Sequence, residues 1–186
     1  MSEPSMEVIM AQGRVIEEVP GFYRIIPLIK FRHTPGVFFD NVPMEFLPEI
    51  GAMDRVLHQS AAVSPGPVGD VKRPWYMHPH QADNLIVLYG TRHVDIFTKK
   101  HGMLSFAVKP NQIQKQGKVI YEGPAMLVWP RSVFHRIVSG EEGSASLNFA
   151  VHYQGLDMRN NFNIYDLNTE SGEFKVIREG FMDQNI

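Results

Sequence analysis

The chain has 186 residues, 44% of them hydrophobic and 20% charged, as expected of one ordinary globular domain with a sizeable core. Lys and Arg number 18 against 20 Asp and Glu, a formal charge of −2, so nothing electrostatic points to nucleic acid or an anionic membrane as a partner. Cysteine is absent, which excludes disulfides, thiolate ligands and cysteine nucleophiles and leaves imidazole and oxygen donors for any metal.

The opening Met1-Ser2-Glu3-Pro4-Ser5-Met6-Glu7 is acidic and polar, unlike a signal peptide, and no apolar run approaches a bilayer span. A cytoplasmic protein is the expectation. Residues 1–70, rich in proline, predict a strand from Arg14 to Val19 and another from Phe22 to Phe31. Phe46, Ile50, Met53 and Leu57 fall four, three and four residues apart, the spacing of an apolar helical stripe, so a short helix packed outside the core is expected between Pro43 and Ser60. Ser64-Pro65-Gly66-Pro67-Val68-Gly69 reads as a loop. This segment is expected to pack on the rest of the molecule or to swap with a second copy.

Residues 71–178 predict strand after strand: Asn84–Tyr89, His93–Thr98, Leu104–Val108, Lys118–Glu122, Ala125–Trp129, Phe134–Val138, Ser146–Tyr153, Asn163–Leu167 and Glu173–Ile177. Turn signals stand between them, at Gly90, at Lys100-His101-Gly102 and across Ser139–Gly143 among others. Short strands at near-regular spacing without long helices imply an all-β, mainly antiparallel sandwich or barrel. Residues 179–186 form a tail.

Of the eight histidines, most have the character of surface or ordinary core residues. His78-Pro79-His80 is the exception. In an extended segment, positions i and i+2 face the same side, and a proline between them favours that shape. After His80 come Gln81-Ala82-Asp83-Asn84, an apolar strand and Gly90; later, Gly123 opens a second apolar strand that ends in Pro130, with His135 five residues beyond.

This pattern resembles the two motifs of the cupin superfamily. The resemblance covers Trp75 to Val138, and it implies a double-stranded β-helix, or jelly-roll barrel, holding one divalent ion through His78, His80 and His135. The acid of the first motif falls on Asn84 when counted from the histidines and on Asp83 when counted from Gly90. Alternation lets only one of these neighbours face an ion, and three histidines with no carboxylate would resemble the cupin dioxygenases. Ser132 replaces the turn glycine, Ser139 a frequent asparagine and Lys72 the leading glycine.

The function these features imply is a metal-dependent enzyme with a small anionic or diketone-like substrate. Iron comes first, in a dioxygenase-type reaction, with zinc, manganese, nickel or copper as other candidates. His152 is a candidate acid–base group. The alternatives are a non-catalytic ligand-binding module and a zinc, manganese or nickel isomerase or decarboxylase. A metal-free sugar-processing cupin using histidine as base would make three histidines at ligand spacing a coincidence. A homo-oligomer, most simply a dimer, is expected from the resemblance and from an N-terminal arm with no core of its own.

Overall fold

The structure, a computed structural model, describes residues 15–47 and 49–184. The chain forms an antiparallel β-barrel, with only single turns of 3-10 helix at Met44–Phe46 and Gly180–Asp183 among the described residues. No helix is long and apolar enough to cross a membrane.

Two long strands carry the architecture. β8 (Gln81–Thr98) and β13 (Phe134–His152) pair along most of their lengths and bend together from one wall of the barrel to the other. Strands β1 (Glu17–Val19), β2 (Tyr23–Pro27) and β12 (Ala125–Trp129) extend the sheet beyond β8. Beyond β13 lie β7 (Trp75–Met77), β14 (Ile164–Leu167) and β15 (Phe174–Arg178). The other half of β8 continues through β9 (Gly102–Lys109) to β10 (Gln112–Lys115) and β11 (Lys118–Glu122). β5 (Ala52–His58) and β6 (Val63–Ser64) pair with β13. β1, β2, β5 and β6 thus bring parts of residues 15–70 into the same sheet, and Ile26 and Leu47 bury the outer face of β8 and β12.

Several expectations change here, each for a physical reason. The first expected strand is shortened to β1, and Arg14 lies outside the described residues. The expected helix is instead a strand: over β5, Ala52, Asp54, Val56 and His58 turn inward while Met53 and Leu57 are exposed. The apolar stripe misled because this wall of the barrel interior is polar. Gly90 and Ser139–Gly143 do not end strands; they are kinks within β8 and β13, and Gly90 has φ +70°. At that kink the pairing of Tyr89 with Ala145 and of Val87 with Ser146 leaves Leu88 unpaired as a bulge. The extra residue inverts the alternation: Asp83, Leu85 and Val87 face inward before it, and Arg92, Val94 and Ile96 after it.

β3 (Ile29–Thr34) and β4 (Val37–Asn41) form a separate hairpin with Phe31, Phe38 and Phe39 exposed.

Candidate functional site

Three strands bring a carboxylate and two imidazoles together at the floor of a cavity of about 260 Å³. His78 follows the end of β7, and His135 is the second residue of β13. These strands pair with His135 opposite Tyr76, which sets the two rings 4.8 Å apart between centroids. Ser132, in place of the turn glycine, takes the left-handed conformation at φ +65°, and its N–H donates to the His78 carbonyl at 2.8 Å. The third member is Asp83 on β8, opposite Trp129. Its Oδ2 lies 3.6 Å from His78 Nε2 and 3.9 Å from His135 Nε2. All three residues are buried.

Hydrogen bonds orient each group. His78 Nδ1 donates to the carbonyl of Asn161 at 2.5 Å and His135 Nδ1 to that of Val133 at 3.3 Å, which leaves both Nε2 atoms as lone pairs turned to Asp83. Asp83 Oδ1 accepts from Gln81 Nε2 and Asn148 Nδ2, both at 2.8 Å, so that Oδ2 is the free oxygen. Asn161, fully buried, supports Gln81 in turn. Burial works against the Asp83 carboxylate, but the positive charge that His78 and His135 carry when protonated, with these two hydrogen bonds, outweighs it and holds its pKa below the ordinary value. Burial, helped by His78 alongside, pushes His135 down to about 4 against the opposing pull of Asp83. The result is three electron-pair donors facing one another, an arrangement that attracts a cation, whether a proton or a metal ion.

The residues fit a metal as well as a proton. One donor atom from each of His78, Asp83 and His135 lies within 4.8 Å of the others. Two nitrogens and one oxygen, each braced from behind by a hydrogen bond, are a usual donor set for a divalent transition ion.

The other expected ligands lie elsewhere. Residues 79–80 form a turn, so the i, i+2 alternation of an extended strand does not apply to His78 and His80. The His80 ring packs against Gly155, outside the cluster. Asn84 turns to the opposite face of β8 and donates to the carbonyl of Phe149 at 2.7 Å. His152, at the far end of β13, lies against Gly51 and does not line the cavity.

The cavity also holds Tyr76, an aromatic residue expected beside the site, and others that the sequence reading did not select. Trp129 and Phe162 pack on His135 and His78, at 5.1 and 4.9 Å between centroids, and Tyr76 flanks both rings. His58 and Arg92 line the same space from β5 and β8. Arg92 had a legible signal: it stands in phase with Val94 and Ile96, which are plainly apolar positions. His58 had none, being a lone histidine in a segment expected to be helical.

A dTDP-4-dehydrorhamnose 3,5-epimerase from Sulfolobus tokodaii shares this architecture, with a TM-score of 0.52 at 12% identity over 78% of this chain and 78% of its own. The fold is that of the cupins. Two further cupin barrels match. The TDP-quinovose 3,4-ketoisomerase of Campylobacter jejuni has a TM-score of 0.48 at 12% identity, over 72% of this chain and 88% of its own. The sugar 3,4-ketoisomerase of Thermoanaerobacterium thermosaccharolyticum, in complex with TDP, has a TM-score of 0.48 at 14% identity, over 69% and 81%. No family model matches the chain, and no curated protein does. The expected metal-dependent dioxygenase is corrected by these findings. The solved structure that shares this fold at a TM-score of 0.52 is a sugar-nucleotide epimerase, and His80 stands outside the cluster of His78, Asp83 and His135.

Proposed function

We propose that this cavity is the active site of an isomerase- or epimerase-type enzyme that moves a proton at the carbon beside a carbonyl of a small sugar-like compound. The observation that carries the reading is His78. Its Nδ1–H is fixed on a backbone carbonyl and its bare Nε2 faces an ionised, buried carboxylate. With His80 outside the cluster, histidine spacing no longer argues against a histidine base.

In the step proposed, His78 Nε2 takes the proton from the substrate carbon, and the C–H electron pair moves into the carbonyl to give an enolate. Asp83 Oδ2 stabilises the imidazolium. The proton then returns to the opposite face of the same carbon, or, where that carbon bears a hydroxyl, to the former carbonyl carbon while the hydroxyl proton passes to the enolate oxygen and the carbonyl forms at the new position. Tyr76, whose phenol burial holds above its ordinary pKa, stays protonated and packs its ring beside both imidazoles. The Trp129 and Phe162 rings keep bulk water off the imidazoles. The Sulfolobus tokodaii epimerase, which shares the fold, is an enzyme of this class.

His78, Asp83 and His135 would equally hold one divalent transition ion, with iron first among those expected from the sequence. When bound, such an ion supplies Lewis-acid polarisation of a carbonyl. A ligated His78 has no free Nε2, so elemental analysis separates the two arrangements. A homodimer is supported by the exposed aromatic residues of the β3–β4 hairpin.

The experiment is incubation in D2O with free and TDP-linked keto sugars, followed by NMR and mass spectrometry. One deuterium incorporated beside the carbonyl, and lost in His78→Gln, is expected. Reaction without solvent exchange, or one equivalent of metal bound through His78, would remove His78 as the base.

A further inference from the structure

One group in the cavity is unexplained by proton transfer. Arg92 is 2% exposed and among the largest fully buried side chains of the protein. It points inward because the Leu88 bulge inverts the alternation of β8. Its Nε donates to Ser144 Oγ at 3.0 Å and one Nη2 hydrogen to the Val56 carbonyl at 3.2 Å. Both partners are neutral, and no carboxylate among the described residues pairs with it. Nothing offsets burial, which lowers its pKa to about 10.

A guanidinium has five N–H donors, and these two bonds leave Nη1 and part of Nη2 without a named partner. Asp54 and Asp83 line the same cavity, but neither forms an ion pair with Arg92. Ser139 Oγ lies 2.7 Å from Ser144 Oγ and 2.9 Å from His58 Nδ1, which closes that side of the group with neutral hydroxyls and an imidazole held down to about 4. Ser146 Oγ, 1% exposed, lines the same cavity and has no hydrogen-bond partner. A buried cation without a counter-charge, next to a buried hydroxyl without a partner, is costly to the fold unless a ligand completes both.

We infer that Arg92 and Ser146 form the binding position for a carboxylate, and that the substrate is a hydroxy- or keto-substituted monocarboxylate of sugar-acid type. This rests on the cavity being the active site proposed above. The charge count selects a carboxylate over a phosphoryl group. One guanidinium balances a single negative charge, whereas a phosphomonoester carries between one and a half and two. Asp54 and Asp83, which line the same cavity, would oppose the excess. A planar carboxylate also matches the remaining N–H groups of the fork and can accept from Ser146 with its second lone pairs.

The test is equilibrium binding to the full-length protein of glucuronate, glucose and inorganic phosphate at low ionic strength, by calorimetry. Glucuronate is expected to bind at least tenfold more tightly than either of the others. Arg92→Gln should abolish that preference, and Arg92→Lys should retain part of it, because the charge remains while the planar fork is lost. The lysine variant also covers the case in which the glutamine variant does not fold, as judged by circular dichroism. Equal affinity for glucuronate and glucose, tighter binding of phosphate, or a preference that survives in Arg92→Gln would overturn the inference. A carboxylate preference without deuterium exchange in any keto sugar or keto acid would leave Arg92 its role and remove the proton-transfer reading. Exchange on neutral keto sugars with no carboxylate preference would do the reverse.

Discussion

Replacing Asp83 with asparagine removes one charge and almost no volume from the centre of the site. The carboxylate oxygen lies 3.6 Å from His78 Nε2. At that separation, and with an effective dielectric constant of about 20, it stabilises a protonated imidazole by about 4–5 kcal/mol. At about 1.4 kcal/mol per tenfold change, proton abstraction should slow by roughly three powers of ten. The side-chain oxygen of asparagine can still accept from Gln81 and Asn148, whose bonds fix Oδ1 in the parent, so the loss reports charge more than shape. The assay is the rate of deuterium incorporation from D2O into a responsive keto sugar, with circular dichroism to confirm the fold. A loss smaller than about tenfold would refute the argument that Asp83 acts by stabilising the imidazolium of His78.

His80→Ala is expected to leave both zinc uptake and isotope exchange within about twofold of the parent, while His135→Ala loses the zinc site; titration with zinc alone reads the first and NMR the second. Gly90→Ala should cost about 1–3 kcal/mol, because alanine resists φ +70° and its Cβ would collide with the Gly143 carbonyl oxygen; the melting temperature measures it. His58, pushed down by burial and by Arg92 from 6.5 to about 4, makes stability depend on pH. Its folded pKa lies below the unfolded one, so its contribution is complete above pH 6.5 and is lost as pH falls from 6.5 towards 4. Denaturant titrations over that window should show a flatter slope in His58→Gln.

Much of the barrel was legible from the sequence, and the departures from expectation share a cause. β11 and β12 have the limits expected from their turn residues, because short strands between glycine and proline signals leave little choice. The two long strands were expected as pairs of short ones, since a glycine at a bend and a glycine at a turn look alike in one chain. β5 was taken for a helix because its inward face carries Asp54 and His58 while Met53 and Leu57 lie outside, the opposite of the usual pattern. Polar residues facing inward are the mark of a working cavity, and they defeat any reading that equates apolar with buried.

The site itself divided along the same lines. His78 and His135 were found from spacing, and alternation on β8 decides between Asp83 and Asn84 once the strand is known. His80 was misplaced because Pro79 begins a turn, whereas the spacing argument needs an extended segment. Arg92 depended on a bulge at Leu88, which no local rule locates, although its phase with Val94 and Ile96 was visible.

The most direct test of the proposed base needs no substrate. Nitrogen-15 NMR of the metal-free protein, labelled at histidine, reports which ring nitrogen of His78 and His135 carries the proton, with the single glutamine variants assigning the signals. The account predicts that both rings keep the Nδ1 proton on their backbone carbonyls, with Nε2 the nitrogen that exchanges. A His78 ring bare at Nδ1 and protonated at Nε2 would contradict it, because the atom proposed to accept the substrate's proton would already be occupied.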